Sequence, residues 1–147
     1  MSSLIVDQGV TWVRVWKYEN PDGTPVVLTG CYAKFAIRLG NVDGPLALEL
    51  DSDLLGGVVI DGPLGTVTVT IPAATSDDFV LDGVPQGSVS EIIEPAVYEG
   101  CKLVTKQVNR VATGYLCEYA LDVTLSDATT VVQFEQDAMA IVRGVIR

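Results

Sequence analysis

Residues 7–38 read DQGVTWVRVWKYENPDGTPVVLTGCYAKFAIR, and this stretch decides the fold class. Val10 to Tyr18 is rich in Val and Trp, residue types that suit a pleated surface. Asn20-Pro21-Asp22-Gly23 follows as a turn, with Pro presetting one φ and Gly absorbing a positive one. After a short edge segment, Cys31, Ala33, Phe35, Ile37 and Leu39 alternate with Tyr32, Lys34, Ala36 and Arg38. Period two of this kind marks a strand with one buried and one wet face.

Working outward, the same signal recurs. Leu46, Leu48 and Leu50 alternate with Ala47 and Glu49, Val58-Val59-Ile60 is a short apolar run, and Thr66 to Ile71 alternates Thr with Val and Ile. Tyr119, Leu121, Val123 and Leu125 share one face of a further strand, which Ser126–Thr129 links to Thr130–Phe134. Met139–Ile146 reads as a last strand, and one helical turn is expected at Thr75–Leu81. Between these, Gly83–Pro95 reads as loop, and Tyr98–Cys117 as two weaker β pieces around Asn109–Gly114. The expectation is a single all-β domain over residues 1–147, an Ig-like or Greek-key sandwich of seven to nine strands. Residues 83–117 are expected to be an inserted loop or arm. Phe35, Ile37, Val67, Val69, Leu121 and Val123 should be buried, and Lys34, Arg38, Thr68 and Asp122 more exposed.

With 147 residues, 48% of them hydrophobic and 19% charged, the chain can bury a real core. Its net charge of −10 and lack of any basic run argue against nucleic acid as a partner. No apolar run reaches the length of a membrane helix, and the N-terminus has neither basic nor apolar leader character. These features point to no membrane partner and to use in a cytoplasm. The three cysteines, Cys31, Cys101 and Cys117, lack metal-site spacing. Cys31 falls in phase with a buried face, and reduced thiols are the default reading in a cytoplasm, with a Cys101–Cys117 bridge left open.

The sequence contains no histidine, which excludes Ser-His-Asp and Cys-His chemistry, and it contains no phosphate-cradling glycine motif. Asp51-Ser52-Asp53 could present carboxylates to Ca²⁺, but no EF-hand pattern surrounds it, and a solvated turn is the simpler reading. No catalytic residue, cofactor or metal is therefore expected. Trp12, Trp16 and Tyr18 lie on one face of their strand and have two readings: a platform for glycans, or packing in a core or interface. Apolar Val13 and Val15 on the opposite face favour burial on both sides. Ile92, Ile93, Val97, Tyr98, Leu103, Val104 and Val108 are too apolar to stand in water and are expected to meet another subunit.

Several short pieces also carry a resemblance. They are Asp7-Gln8-Gly9-Val10-Thr11, the Asp22-Gly23-Thr24-Pro25 turn, Leu28-Thr29-Gly30-Cys31-Tyr32 running to Ile37-Arg38, Gly65 to Ala73, Tyr119 to Val123, and Arg143 to Arg147. Together they resemble small bacteriophage tail- and baseplate-associated proteins, including the N-terminal domain of baseplate upper proteins. Residues 83–117 have no counterpart in that pattern. The resemblance implies a non-enzymatic structural subunit of a virion tail, baseplate or neck, assembled in the host bacterial cytoplasm. Its implied partners are other virion proteins and further copies of itself. A capsid decoration protein and a glycan-binding sandwich for host adsorption are the alternatives.

Overall fold

A computed structural model describes residues 3–41, 43–93 and 96–143, with the backbone alone for 96–98. The chain is an all-β sandwich. Its strands are β1 (Leu4–Asp7), β2 (Trp12–Lys17), β3 (Tyr32–Leu39), β4 (Leu46–Asp51), β5 (Val58–Asp61), β6 (Thr66–Ile71), β7 (Gln86–Ile93), β8 (Ala96–Glu99), β9 (Lys102–Thr105), β10 (Val108–Thr124) and β11 (Val131–Val142). Among the described residues a single short helix, α1 (Ala73–Asp77), lies between β6 and β7.

One layer runs β1-β11-β10-β3-β4, and the facing layer runs β2-β6-β5. Pairing is antiparallel except for β1, which lies parallel to β11. The alternating segments place their apolar residues as expected: Phe35, Ile37, Val67, Val69, Leu121 and Val123 are all fully buried. Lys34 and Arg38 are exposed, and Thr68 and Asp122 are half-buried. Between the layers Phe35 meets Trp12, Trp16 and Tyr119 at ring-centroid distances of 6.2, 6.1 and 6.0 Å. A fully buried side chain of this kind contributes roughly 1.5–3 kcal/mol by leaving water.

Four features depart from the sequence reading. Leu4-Ile5-Val6 forms an edge strand with all three residues buried; being apolar on both faces, it carries no alternation to detect. Thr130–Phe134 and Met139–Ile146 are expected as separate strands, but Val131–Val142 is one strand, with a register shift opposite Leu121/Asp122 absorbing the phase change. Strands also exceed the expected seven to nine, because Gln86–Ile93 is strand rather than loop and β8, β9 and β10 follow it. The helical turn begins at Ala73 rather than Thr75, and its buried Ser76 hydroxyl accepts the Gly9 N–H at 2.9 Å, tying α1 to the β1–β2 turn.

Candidate functional site

The segment that reads as loop is a long β-hairpin. Gln86 faces Tyr115 and Ile93 faces Val108 in the β7–β10 ladder. Three residues further along each strand, Ala96 faces Thr105, and Glu99 faces Lys102. The β8–β9 ladder therefore continues the β7–β10 register, and the turn is closed by Gly100 and Cys101. Gly100 has φ +63°, the positive value a two-residue hairpin turn needs at its first central position. At roughly 3.3 Å per residue the hairpin runs about 46 Å from Gln86 to its tip. The turn density of Gly83–Pro95 hid this, since Ser88, Ser90 and the glycines lower strand propensity although the alternation is intact.

The base of the hairpin is welded to the sandwich. Leu116 donates its N–H to the Pro85 carbonyl and accepts from the Gly40 N–H, so β7 takes over the edge of β10 where β3 ends. At Gly114 the strand crosses close over β11: a Cβ there would sit 2.6 Å from the Ile141 carbonyl oxygen. Beyond that point the hairpin folds onto the outer face of the large sheet. There Val89 packs with Ile5 and Ala140 in a second, small apolar cluster that includes Ala112 and Leu116.

Two polar side chains complete the attachment, and they are direct cross-strand partners: Glu91 on β7 and Arg110 on β10. Buried Glu91 accepts the Ile5 N–H at 3.0 Å. Arg110 Nη2 donates to both carboxylate oxygens of Asp7 at 2.9 and 3.0 Å. Gln8 N–H bonds back to Val142, so the alternate residues Ile5 and Asp7 turn their main chain away from β11. Glu91 thus caps a donor on the free edge of β1, where an exposed N–H would invite another strand.

Beside this clamp, β1, β2 and the hairpin enclose a cleft of about 300 Å³, with Ile5, Trp12, Arg14 and Ile93 in its walls. Arg14 lies 5.8 Å over the Trp16 ring, and its Nε is buried without a hydrogen-bond partner among the described residues.

The structure separates the residues singled out from sequence. Trp16 is only 7% exposed, and half-buried Trp12 packs beside it on Phe35. Tyr18 packs edge-on against Phe134 at 4.6 Å and donates its hydroxyl to Glu135. Burial first, and the Glu135 charge second, push that phenol up, so it stays protonated. Of the aromatic stripe, Trp16 is thus core, while Trp12 and Tyr18 are half-buried and packed against it. The other face of β2 corrects the expectation of burial on both sides: Val13 and Val15 are 55% and 54% exposed.

On the hairpin, Ile92, Leu103 and Val108 are exposed, Ile93 and Val104 are half-buried, and the side chains of Val97 and Tyr98 lie outside the described residues. Val111, 68% exposed on the outward face, joins this set and was not singled out from sequence. Neither were Glu91, Arg110 and Arg14; the opposed charges of Glu91 and Arg110 were visible, but only a known register pairs them. Cys101 is exposed at the tip and Cys117 is in the core, with roughly 50 Å of extended strand between them, so they do not bridge. Asp51 is also accounted for: its carboxylate accepts the Tyr32 hydroxyl and the N–H groups of Asp53 and Leu55, shaping the turn after β4. Among the described residues no cluster of metal-ligating side chains occurs.

No protein-family model, curated protein or solved structure matches the chain.

Proposed function

We propose that this chain is a non-enzymatic structural subunit of a bacteriophage virion, in its tail, baseplate or neck, and that it assembles through the 86–115 hairpin. The observation that carries the reading is the hairpin itself: clamped at its base by Glu91 and Arg110, it presents exposed Ile92, Leu103, Val108 and Val111. Apolar side chains left exposed on such an arm gain free energy only when a neighbour covers them, at roughly 25 cal/mol per Å². The histidine-free sequence and the inward-facing carboxylate of Asp51 are in keeping with action by contact. The phage assignment draws on the resemblance of the Asp7–Arg38 and Gly65–Ala73 segments.

The strand order further supports an immunoglobulin-like version of the sandwich. The sequence β11-β10-β3-β4 facing β2-β6-β5, with the first strand parallel beside the last, follows the G-F-C-C′ against B-E-D arrangement. A glycan-binding reading gains no support from the aromatic stripe, because Trp16 is buried and Trp12 and Tyr18 pack against Phe35 and Phe134.

The test is proteomic and genetic. Purified particles from a culture producing the chain should contain it in stoichiometric amount. A variant in which residues 94–107 are replaced by Asn-Gly should fold yet be lost from particles. Particles lacking the chain, or retaining the shortened variant at wild-type level, would refute the reading.

A further inference from the structure

The small sheet has an unused edge. Tyr18 donates its N–H to the Gly65 carbonyl and accepts from Val26. Alternation along β2 then turns the main chain of Trp12, Arg14 and Trp16 toward β6. Val13 and Val15 therefore turn theirs the other way, and among the described residues no strand lies there, because β1 pairs with β11 of the large sheet instead. An edge of this kind ordinarily carries charge, proline or a covering loop. Here its solvent-side residues are Val13 and Val15, both more than half exposed, with a charge only at the strand's last position, Lys17, which is ion-paired to Glu19.

On the inward side of the same strand is Arg14. The two carboxylates that share its cleft are already engaged, Asp7 by Arg110 through both oxygens and Glu91 by the Ile5 N–H. No ion pair joins Arg14 to a carboxylate among the described residues, and its buried Nε has no acceptor. A guanidinium presents a planar fork that fits a carboxylate, and buried donors are normally satisfied.

We infer that the β2 edge accepts an extended segment of another protein, added as a strand along Val13 and Val15, with an inward-pointing Asp or Glu side chain bound by Arg14. Main-chain bonds to Val13 and Val15 supply the pairing, as in other strand-addition sites. The Arg14 fork then fixes the register, since a one-residue slip would turn the carboxylate to solvent. Residues on either side of the acid are apolar or Thr, because they stand beside Val13 and Val15 on the outer face. A second copy of this chain is the less suitable donor, since each copy carries a net charge of −10. The inference does not depend on the virion reading.

The probe is an N-acetylated, C-amidated peptide Thr-Val-Asp-Val-Thr, with an Asn version as control, titrated into ¹⁵N-labelled protein. Shifts are expected at Val13, Val15 and the Arg14 Nε–H, with hydrogen exchange at Val13 and Val15 slowed at least tenfold at saturation. The Asn peptide should bind at least tenfold more weakly. Arg14→Gln should erase the difference between the two peptides. Val15→Pro should abolish binding of both while leaving the fold intact, because proline is tolerated where an edge N–H faces outward. Absence of shifts at Val13 and Val15 up to millimolar peptide, equal binding of Asp and Asn peptides to the wild type, or unchanged binding to Val15→Pro would overturn the inference. Concentration-dependent protection of Val13 and Val15 without peptide would overturn it too, by assigning the edge to a second copy.

Discussion

The sandwich body and the hairpin are built from the same period-two pattern and end in opposite states. In β3, Ala33, Phe35 and Ile37 face β2 and β6 across the interior, and nothing of them remains exposed. In β7 and β10 the alternation continues, but only Val89, Glu91 and their neighbours find a surface, the outer face of β1 and β11. Outward Ile92 and Val111 find none. Alternation therefore states that two faces differ, not that a second layer exists to cover the apolar one. Where a second layer exists the strand is core; where it does not, the strand becomes a surface that a partner can use.

Truncation should separate the regions most sharply. Phe35→Ala removes the ring that Trp12, Trp16 and Tyr119 surround, and should cost about 3–5 kcal/mol in urea unfolding. Leu103→Ala at the exposed arm should change stability by no more than about 0.5 kcal/mol. Similar losses at the two sites would mean the arm belongs to the same cooperative core.

A smaller effect is expected at the junction. Glu91→Ala leaves the Ile5 N–H without its acceptor and should cost about 1–3 kcal/mol. It should also speed exchange of the Ile5 amide, whereas Glu91→Gln, which keeps an acceptor, should lose less. Unchanged exchange at Ile5 would show that the hairpin base does not depend on this clamp.

Shortening the arm should matter less still for stability. Replacing residues 94–107 by Asn-Gly closes the Ile93–Val108 pair with a favourable two-residue turn. The melting temperature should move by less than about 4 °C, a shift of roughly 1 kcal/mol or less in a domain of this size. A larger fall would place the distal hairpin in the body's folding unit.

The pH response should belong to the body and be smallest near neutrality. With no histidine, the curve should be flat between about pH 5 and 8. In the β10–β11 turn the Thr130 hydroxyl, aided by the N–H groups of Thr130 and Thr129, holds Asp127 down to about 2. Because that folded value lies below the usual 3.8, its contribution is present above about pH 4 and is lost as pH falls to about 2. Burial pushes the Cys117 thiol up to about 11, so its contribution is full below about pH 9 and is lost as pH rises through 11. Chemical denaturation across pH would check both limbs, and Cys117→Ala should blunt the alkaline one.

Residue pattern alone determined the all-β class, the interior of β3, β6 and β10, and the absence of histidine chemistry. Those features depend on which neighbours in the chain alternate, and alternation is local. Tertiary structure decided the rest. Leu4-Ile5-Val6 became an edge strand because both of its faces are covered, which leaves no alternation to read. Glu91 and Arg110 became one clamp only when pairing set them opposite each other, and Arg14 became an uncommitted cation only when its cleft-mates found other partners. Trp12 and Trp16 were legible as one apolar stripe, but whether a second sheet or a partner covered it was settled by β3 and β10 packing against them. Pairing, covering and charge matching are relations between residues distant in the chain, and no local period encodes them.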